Sequence, residues 1–305
     1  MEDVKPVRSG WFNAFRPWSL HGAVVPVAIG GMVAYSDGAL CWWIFAMVLA
    51  CGCLLQSAAN LLNTYGDFVR GIDTVENETR SPELVTGALR PRDVFLAGML
   101  CLAATAAMGV VFMAYAGWEM ILFGIAGIGG AAMYTVGVSY KYRGMGLIGV
   151  FALMGVVMPL GTYYVMAGSL SQEVLLLSLP NAFLITAVLS GNETRDYRED
   201  RASGVRTLSS RLTYEGSMRL YLALNALAYP ALAALALAEG PWTICLALLA
   251  LIDMRAVAVN SRLAPSSPGA SRMLVPLCFR HNWHFGALLA IGYLLGAHFS
   301  AGAII

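Results

Sequence analysis

Two short polar stretches interrupt a hydrophobic chain, and both place asparagine and aspartate at regular spacing. They read NTYGDFVRGID from residue 63 and NETRDYRED from residue 192. The residues concerned are Asn63, Asp67, Asp73, Asn192, Asp196 and Asp200. Helical residues four apart share a face, so each stretch would present a stripe of oxygen ligands if it is helical. Gly71 would let the chain turn so that Asp73 faces the same point.

The chemistry expected of these two stripes is metal binding. Converging carboxylates repel one another unless a cation lies between them. Hard oxygen ligands suit Mg²⁺, which commonly binds one or two carboxylates together with phosphate oxygens of a substrate. Either stripe alone is explained equally well as a solvated loop. The recurrence of N-x-x-x-D in both stretches favours a metal site.

Basic side chains near the two stripes indicate what the metal would accompany. They are Arg70, Lys141, Arg195 and Arg198. Arginine and lysine bind diphosphate oxygens by charge-assisted hydrogen bonds. The chain has no GxxxxGK[ST] loop to hold a nucleotide, so we expect a lipid diphosphate. Ionising an allylic diphosphate requires stabilisation of the leaving group, which metal and cationic side chains supply.

The elements that must position these residues are membrane spans. Of 305 residues, 58% are hydrophobic and 12% are charged, and the mean hydropathy is +0.67. Soluble domains have about 25% charged residues. Runs without Asp, Glu, Lys or Arg cover 94–118, 120–140, 144–172, 174–192, 220–238 and 285–305. With three further spans at 18–37, 40–62 and 241–263, the sequence predicts nine transmembrane helices, an all-α polytopic membrane protein.

The distribution of charge predicts the orientation of these spans. If nine spans are counted, all 19 Lys and Arg residues lie on one side of the membrane. They lie before the first span, or in the loops and helix ends on that same side. The opposite loops contain only single acids. The positive-inside rule then places the N-terminus and the two stripes in the cytoplasm, and the C-terminus across the cell membrane. A net charge of +1 gives no indication of nucleic-acid binding, and the six cysteines lack metal-ligand spacing.

The two stretches carry a resemblance to a known family. NLLNTYGDFVRGID and NETRDYREDRASGVRTLSSRL look like the two aspartate-rich motifs of the UbiA superfamily of intramembrane prenyltransferases. RPWSL near the start, AAMYTVGVSYKYRGMG, PLGTYYVMAG and HFGALLAIGYLLG extend the similarity over essentially the whole chain. The resemblance implies one membrane-embedded domain over 1–305, a helical bundle with a central cavity that opens to a cytoplasmic-side active site. YGDFVRGID is most similar to the 1,4-dihydroxy-2-naphthoate polyprenyltransferase branch.

The resemblance also implies roles for individual residues. Four aspartates would bind Mg²⁺ and act in catalysis: Asp67, Asp73, Asp196 and Asp200. Asn63 and Asn192 would assist them. The candidates for phosphate contact are Arg70, Lys141, Arg143 and Arg195. Tyr134 and Tyr140 could line a carbocation pocket with their π faces, although an interfacial aromatic belt explains both tyrosines equally well. Glu76, Glu78 and Glu83 are expected to be solvated.

The expected reaction is transfer of a polyprenyl chain from polyprenyl diphosphate to dihydroxynaphthoate. Loss of CO₂ and diphosphate would give demethylmenaquinone. Two departures from the family pattern, Leu147 in place of an acid and Val205 in place of a lysine, keep other acceptors open: 4-hydroxybenzoate, a futalosine-pathway naphthoate, a tetrapyrrole or a glycerol lipid. A cation transporter would instead place acids at the bilayer midplane, whereas here they stand at one face.

Overall fold

The computed structural model describes residues 10–74, 82–238 and 241–302, without the side chains of 300–302. Every regular element within these ranges is helical. The long helices are α1 (His21–Ser36), α2 (Trp42–Val69), α3 (Pro91–Ala116), α4 (Met120–Met133), α5 (Gly146–Ala167), α6 (Gln172–Arg195), α7 (Tyr214–Ala238), α8 (Trp242–Leu263) and α9 (Pro268–Gly302). Short helical turns lie between them at Trp11–Phe15, Pro17–Ser19, Pro82–Val85, Tyr140–Arg143, Tyr197–Ala202 and Leu208–Arg211.

Seven helices within the described ranges are long and apolar enough to cross a membrane: α1 with the turns before it, α2, α3, α5, α6, α7 and α8. The prediction of an all-helical, multi-pass membrane protein is therefore confirmed. Of the other two predicted spans, α4 has 14 residues and α9 has 35. About 20 residues are needed to span the hydrocarbon, so α4 alone is short and the count of nine stays a prediction.

The predicted span at 120–140 ends early. Its helix stops at Met133, and Gly137 and Ser139 then adopt left-handed backbone angles, with φ of 65° and 52°. A left-handed residue cannot continue a right-handed helix. The chain instead forms a loop that ends in the turn Tyr140–Arg143 and returns Lys141 towards α2.

The most buried of the seven candidate spans is α6, which packs against α5, α7 and α9. Its first turn is capped by Ser171, whose Oγ accepts a hydrogen bond from the backbone N–H of Val174 at 3.2 Å. Midway along α5, Phe151–Val157 form a π-helical segment. Gly155 in this segment lies so close to Ala182 of α6 that any added Cβ would collide with it. This close approach holds α5 against α6.

Candidate active site

A cavity of about 380 Å³ lies where α2 and α6 end. Most of the residues predicted from the sequence line it: Asn63, Asp67, Tyr134, Tyr140, Lys141, Asn192, Arg195, Asp196 and Asp200. Arg70, Asp73 and Arg143 do not. The two stripes, distant in the sequence, thus face one cavity, which we call the head cavity.

The first stripe is helical, which meets the condition for its residues to share a face. Because α2 continues to Val69, Asn63 and Asp67 share one face, and Asn63 Nδ2 donates to Asp67 Oδ2 at 3.0 Å. Gly71 turns the chain with a φ of 68°. Asp73 follows this turn, and its backbone N–H donates to the carbonyl of Asp67 at 3.4 Å. The Asp73 side chain is buried but outside the cavity wall, so the expected convergence of Asp73 with the other aspartates is not present.

Lys141 and Tyr142 bind the carboxylate of the first stripe. Lys141 Nζ lies 3.1 and 3.0 Å from the two Asp67 oxygens and 2.8 Å from Asn63 Oδ1. The hydroxyl of Tyr142 donates a hydrogen bond to Asp67 Oδ1. Burial, followed by the Asp67 charge, raises the pKa of the Tyr142 phenol above its ordinary value of 10. The Tyr142 phenol therefore stays protonated and donates its hydrogen bond to Asp67.

The second stripe runs across the end of α6. The backbone N–H of Asp196 donates to the carbonyl of Asn192 at 3.0 Å, and that of Asp200 donates to Asp196 at 2.9 Å. The helical spacing of four therefore persists beyond Arg195, where α6 ends. Arg195 pairs with its neighbour, since Nε and Nη2 donate to the two Asp196 oxygens at 2.8 and 2.9 Å. This two-point contact neutralises Asp196 at the cavity wall.

Two predicted phosphate contacts lie outside the head cavity. Arg70 donates to the carbonyl of Thr135 and to Ser139 Oγ, both at 2.6 Å. Its guanidinium also stacks 4.3 Å above the Tyr142 ring. Arg143 is exposed, and its carbonyl accepts a hydrogen bond from Arg211. In this structure Arg70 holds the loop that carries Lys141 in place.

Two charged residues of the cavity wall escaped the sequence prediction. Glu193 is 3% exposed, lines the head cavity, and accepts a hydrogen bond from the Ser209 N–H at 3.1 Å. Its position beside Asn192 in NETRDYRED was the available signal. Arg16 of RPWSL also lines the cavity, with a left-handed φ of 51°, and donates to Thr64 Oγ1 at 3.3 Å. An arginine with left-handed backbone angles is strained. The spacing of residues in the sequence does not reveal such strain.

One expectation about the acidic loop is wrong. Glu83 was expected to be solvated, but it is 2% exposed. It lies in the short helix Pro82–Val85, where its carboxylate meets the side chain of Asn13 and the charge of Arg16. Glu76 and Glu78 lie outside the described residues.

The donor chemistry of the head cavity fits a divalent cation. Carboxylates from both stripes and the amide oxygens of Asn63 and Asn192 face the same space. The Lys141 ammonium already lies against two of these donors, Asn63 and Asp67, as a cation would. Over residues 10–74, 82–238 and 241–302, however, no three His, Cys, Asp or Glu side chains stand close enough together to hold an ion.

Residues 23–283 match the UbiA prenyltransferase family. The chain belongs to this family. A UbiA prenyltransferase domain-containing protein 1 from Xenopus tropicalis is 32% identical over 222 residues, which are 71% of this chain and 62% of that protein. The chain thus spans less than two thirds of that relative's length. A 1,4-dihydroxy-2-naphthoate octaprenyltransferase from Bacillus subtilis is 27% identical over 283 residues, 92% of this chain and 90% of that protein.

Solved structures share the fold. A UbiA homolog from Aeropyrum pernix K1, in its apo form, superposes with a TM-score of 0.61 at 17% identity, over 90% of this chain and 97% of that one. A UbiA homolog from Archaeoglobus fulgidus bound to DMAPP and Mg²⁺ gives a TM-score of 0.59 at 13% identity, over 93% of this chain and 100% of that one. The UbiA-type helical bundle expected from the sequence is therefore confirmed as a fold.

Proposed function

We propose that the chain transfers a polyprenyl group from polyprenyl diphosphate to 1,4-dihydroxy-2-naphthoate. Diphosphate and CO₂ leave, and the product is demethylmenaquinone in its reduced, quinol form. The observation that carries the proposal is the head cavity itself, where two carboxylate and amide stripes meet basic side chains next to an apolar interior. A lipid diphosphate has the same division between a charged head and a hydrocarbon tail.

The diphosphate would lie between the two stripes. Asp67, Asp196 and Asp200, with Asn63 and Asn192, would hold Mg²⁺, which when bound neutralises charge on the leaving diphosphate. The side chains of Lys141 and Arg195 line the head cavity. Both would then exchange their carboxylate partners for phosphate oxygens. Arg70 serves this site indirectly, by holding the loop of Lys141.

Bond cleavage and bond formation would take place at C1 of the prenyl chain, next to the diphosphate. The bond between C1 of the chain and the diphosphate oxygen breaks, and its electron pair leaves with the diphosphate. Tyr134 and Tyr140, whose ring centroids are 5.4 Å apart, offer π faces to the allylic cation at this wall. The ring carbon that bears the carboxylate attacks C1, and the electron pair of the carboxylate bond returns to the ring as CO₂ departs. The cavity holds the two partners in contact.

The choice of acceptor is supported by the Bacillus relative, whose name specifies 1,4-dihydroxy-2-naphthoate and which aligns over nearly the whole chain. The motif YGDFVRGID supports the same branch. The vertebrate relatives have a higher sequence identity to this chain than the Bacillus relative has, but over a shorter part of it. Acceptors other than dihydroxynaphthoate should therefore be included in the assay.

For the orientation, we propose a single membrane-embedded domain with nine spans in the cell membrane. The N-terminus and the head cavity face the cytoplasm, and the C-terminus lies on the opposite side. The support is the segregation of all 19 basic residues to one side when nine spans are counted.

The deciding experiment is mass spectrometry of products from purified protein with Mg²⁺, geranylgeranyl diphosphate and dihydroxynaphthoate. We expect a prenylated, decarboxylated product that needs Mg²⁺. Asp67→Asn and Asp196→Asn should each lower turnover at least about 100-fold, the scale of losing one electrostatic contact to a transition state. Asp93→Asn is the matched control, because Asp93 pairs with the exposed Arg90 outside the cavity. Unchanged turnover in both site variants would refute the mechanism, and product from another acceptor alone would refute the choice of naphthoate.

A further inference from the structure

Three ionisable side chains join α8 to α9 outside the head cavity. Asp253 of α8 accepts one hydrogen bond at each carboxylate oxygen, from Arg280 Nε and from His284 Nδ1 of α9, both at 2.7 Å. We call Asp253, Arg280 and His284 the α8–α9 cluster. None of the three lines the head cavity, although Phe279, the neighbour of Arg280, does. The proposed reaction therefore makes no use of this cluster.

The cluster has its acid inside and its hydrogen-bond donors outside. The Asp253 side chain is 8% exposed, whereas those of Arg280 and His284 are 47% and 50% exposed. Among the residues that the structure describes, no group accepts a hydrogen bond from Arg280 Nη1 or Nη2, and His284 Nε2 has no partner either. The surface of the cluster therefore presents unused donors, chiefly those of a guanidinium.

The position of Arg280 along α9 indicates the level of the cluster in the membrane. At about 1.5 Å per residue, the 35 residues of α9 extend over about 52 Å, more than the hydrocarbon thickness of about 30 Å. Residues 281–302 contain no Asp, Glu, Lys or Arg and extend over about 33 Å. In the nine-span arrangement proposed above, Arg280 thus lies at the edge of the hydrocarbon, on the side of the head cavity.

Exposed apolar residues beside the cluster agree with this level. Trp283, which lies between Arg280 and His284 in the sequence, is exposed, and tryptophan is enriched at membrane–water interfaces. Ile252, next to Asp253 on α8, is exposed as well. Cationic and apolar surface thus adjoin one another, as do the phosphate and the acyl chains of a phospholipid.

A phosphodiester fits the exposed donors of the cluster. The planar fork of an arginine binds phosphate oxygens at two points, and a histidine ring nitrogen can donate a further hydrogen bond. Because Arg280 and His284 bind the same carboxylate, they lie side by side, within reach of one phosphate group. Basic pockets between membrane helices on the cytoplasmic side bind lipid headgroups in other proteins. A symmetric contact between two copies centred here would instead bring donors against donors, because Asp253 is buried.

We propose that the α8–α9 cluster binds the phosphodiester of an anionic phospholipid, in the leaflet on the side of the head cavity. Asp253 holds Arg280 and His284 in place, and their outer nitrogens donate to the phosphate oxygens. An anionic headgroup is preferred to phosphatidylcholine because it brings no second cation next to Arg280. The bound lipid connects α8 to α9, and this role is independent of the proposed prenyl transfer.

Two substitutions weaken the site and still leave the buried Asp253 with a partner. Arg280→Lys keeps a cation for Asp253 but loses the planar fork. His284→Gln keeps an amide N–H donor for Asp253 but loses the second ring nitrogen. Arg272→Lys is the matched control, because Arg272 is exposed on the same helix and lies outside the cluster.

The test is native mass spectrometry of the purified protein, titrated in detergent with phosphatidylglycerol or with phosphatidylcholine. We expect wild type to bind phosphatidylglycerol more tightly than phosphatidylcholine. Its Kd for phosphatidylglycerol should rise about tenfold in Arg280→Lys and in His284→Gln, the scale of losing one hydrogen bond to a charged group. Arg272→Lys should bind as wild type does. Equal affinity of wild type for the two lipids, or wild-type affinity for phosphatidylglycerol in either cluster variant, would overturn the proposal.

Two competition experiments identify the source of the phosphate. Neither inorganic phosphate nor geranylgeranyl diphosphate with Mg²⁺ should displace phosphatidylglycerol from wild type. Displacement by inorganic phosphate would make the cluster a site for free anions, and displacement by the diphosphate would make it a site for the prenyl donor. Either result would overturn the proposal. Should a single variant fold poorly, the double variant Asp253→Asn with Arg280→Gln removes the ion pair as a unit and is expected to lose the same lipid binding.

Discussion

At the residue scale, three groups bind the Asp67 carboxylate: Asn63, the Lys141 ammonium and the Tyr142 hydroxyl. In the proposed reaction Lys141 leaves Asp67 for a phosphate oxygen, and the Tyr142 hydroxyl would then still hold Asp67 Oδ1. Tyr142 is itself held by the stacked Arg70 guanidinium. We therefore propose that Tyr142 is a positioning residue, acting through Asp67.

Tyr142→Phe removes this hydrogen bond and keeps the ring under Arg70. We expect the Mg²⁺ concentration for half-maximal activity to rise about tenfold, since hydrogen bonds to charged groups contribute about 1.5–3 kcal/mol. The melting temperature should stay near that of wild type. Tyr65→Phe, on α2 and packed on Phe95, controls for loss of a phenol elsewhere. An unaltered Mg²⁺ dependence in Tyr142→Phe would show that Tyr142 does not position Asp67.

At the element scale, the short helix Pro82–Val85 packs beneath the site through Glu83. Burial raises the pKa of the Glu83 carboxyl above its ordinary value of 4.5, although Arg16 and Asn13 partly oppose the rise. The folded state thus binds this proton more tightly than the unfolded chain does. The associated stability is present below about pH 4.5 and is lost as the pH rises through the raised pKa.

Glu83→Gln should remove that pH dependence, because glutamine keeps the shape and carries no proton to lose. We expect the melting temperature of wild type in detergent to fall more than that of Glu83→Gln between about pH 4.5 and pH 7.5. Glu215→Gln, an exposed glutamate on α7, should follow wild type. Parallel curves for wild type and Glu83→Gln would mean that the Glu83 carboxyl is not desolvated in the folded protein.

At the scale of the whole molecule, α7 and α9 are joined by a buried polar network away from the head cavity. His281 lies between the Tyr229 hydroxyl at 2.8 Å and Asn225 Oδ1 at 2.9 Å. Asn225 Oδ1 can only accept, so His281 Nδ1 carries the proton and Nε2 accepts from Tyr229. His281 is fully buried, lies outside the head-cavity wall and links α7 to α9 through these two bonds.

His281→Leu would leave the buried Asn225 and the half-buried Tyr229 without this partner, at a cost of about 1–3 kcal/mol of unfolding free energy. We expect a lower melting temperature, with KM for the acceptor unchanged in the folded fraction. His298→Leu on the same helix is the control, since His298 is exposed. A raised acceptor KM at unchanged melting temperature would instead assign His281 to acceptor binding.

The sequence by itself determined the features that depend on local spacing. Residues four apart on one helix share a face whatever the rest of the fold does. The sequence spacing alone therefore predicted that Asn63 pairs with Asp67 and that Asn192, Asp196 and Asp200 share a face. The helical, membrane-spanning class followed from apolar run length. The turn at Gly71 followed because glycine adopts a positive φ without strain.

Only the tertiary structure decided which charges meet. Lys141 reaches Asp67 across 74 residues, and Arg70 reaches Ser139 across 69. The spacing of residues in the sequence does not reveal such contacts. The sequence therefore predicted Arg70 as a phosphate ligand and Glu83 as a solvated side chain. The physical reason is that periodicity orients a side chain about its own helix axis, whereas its partner is set by how helices pack.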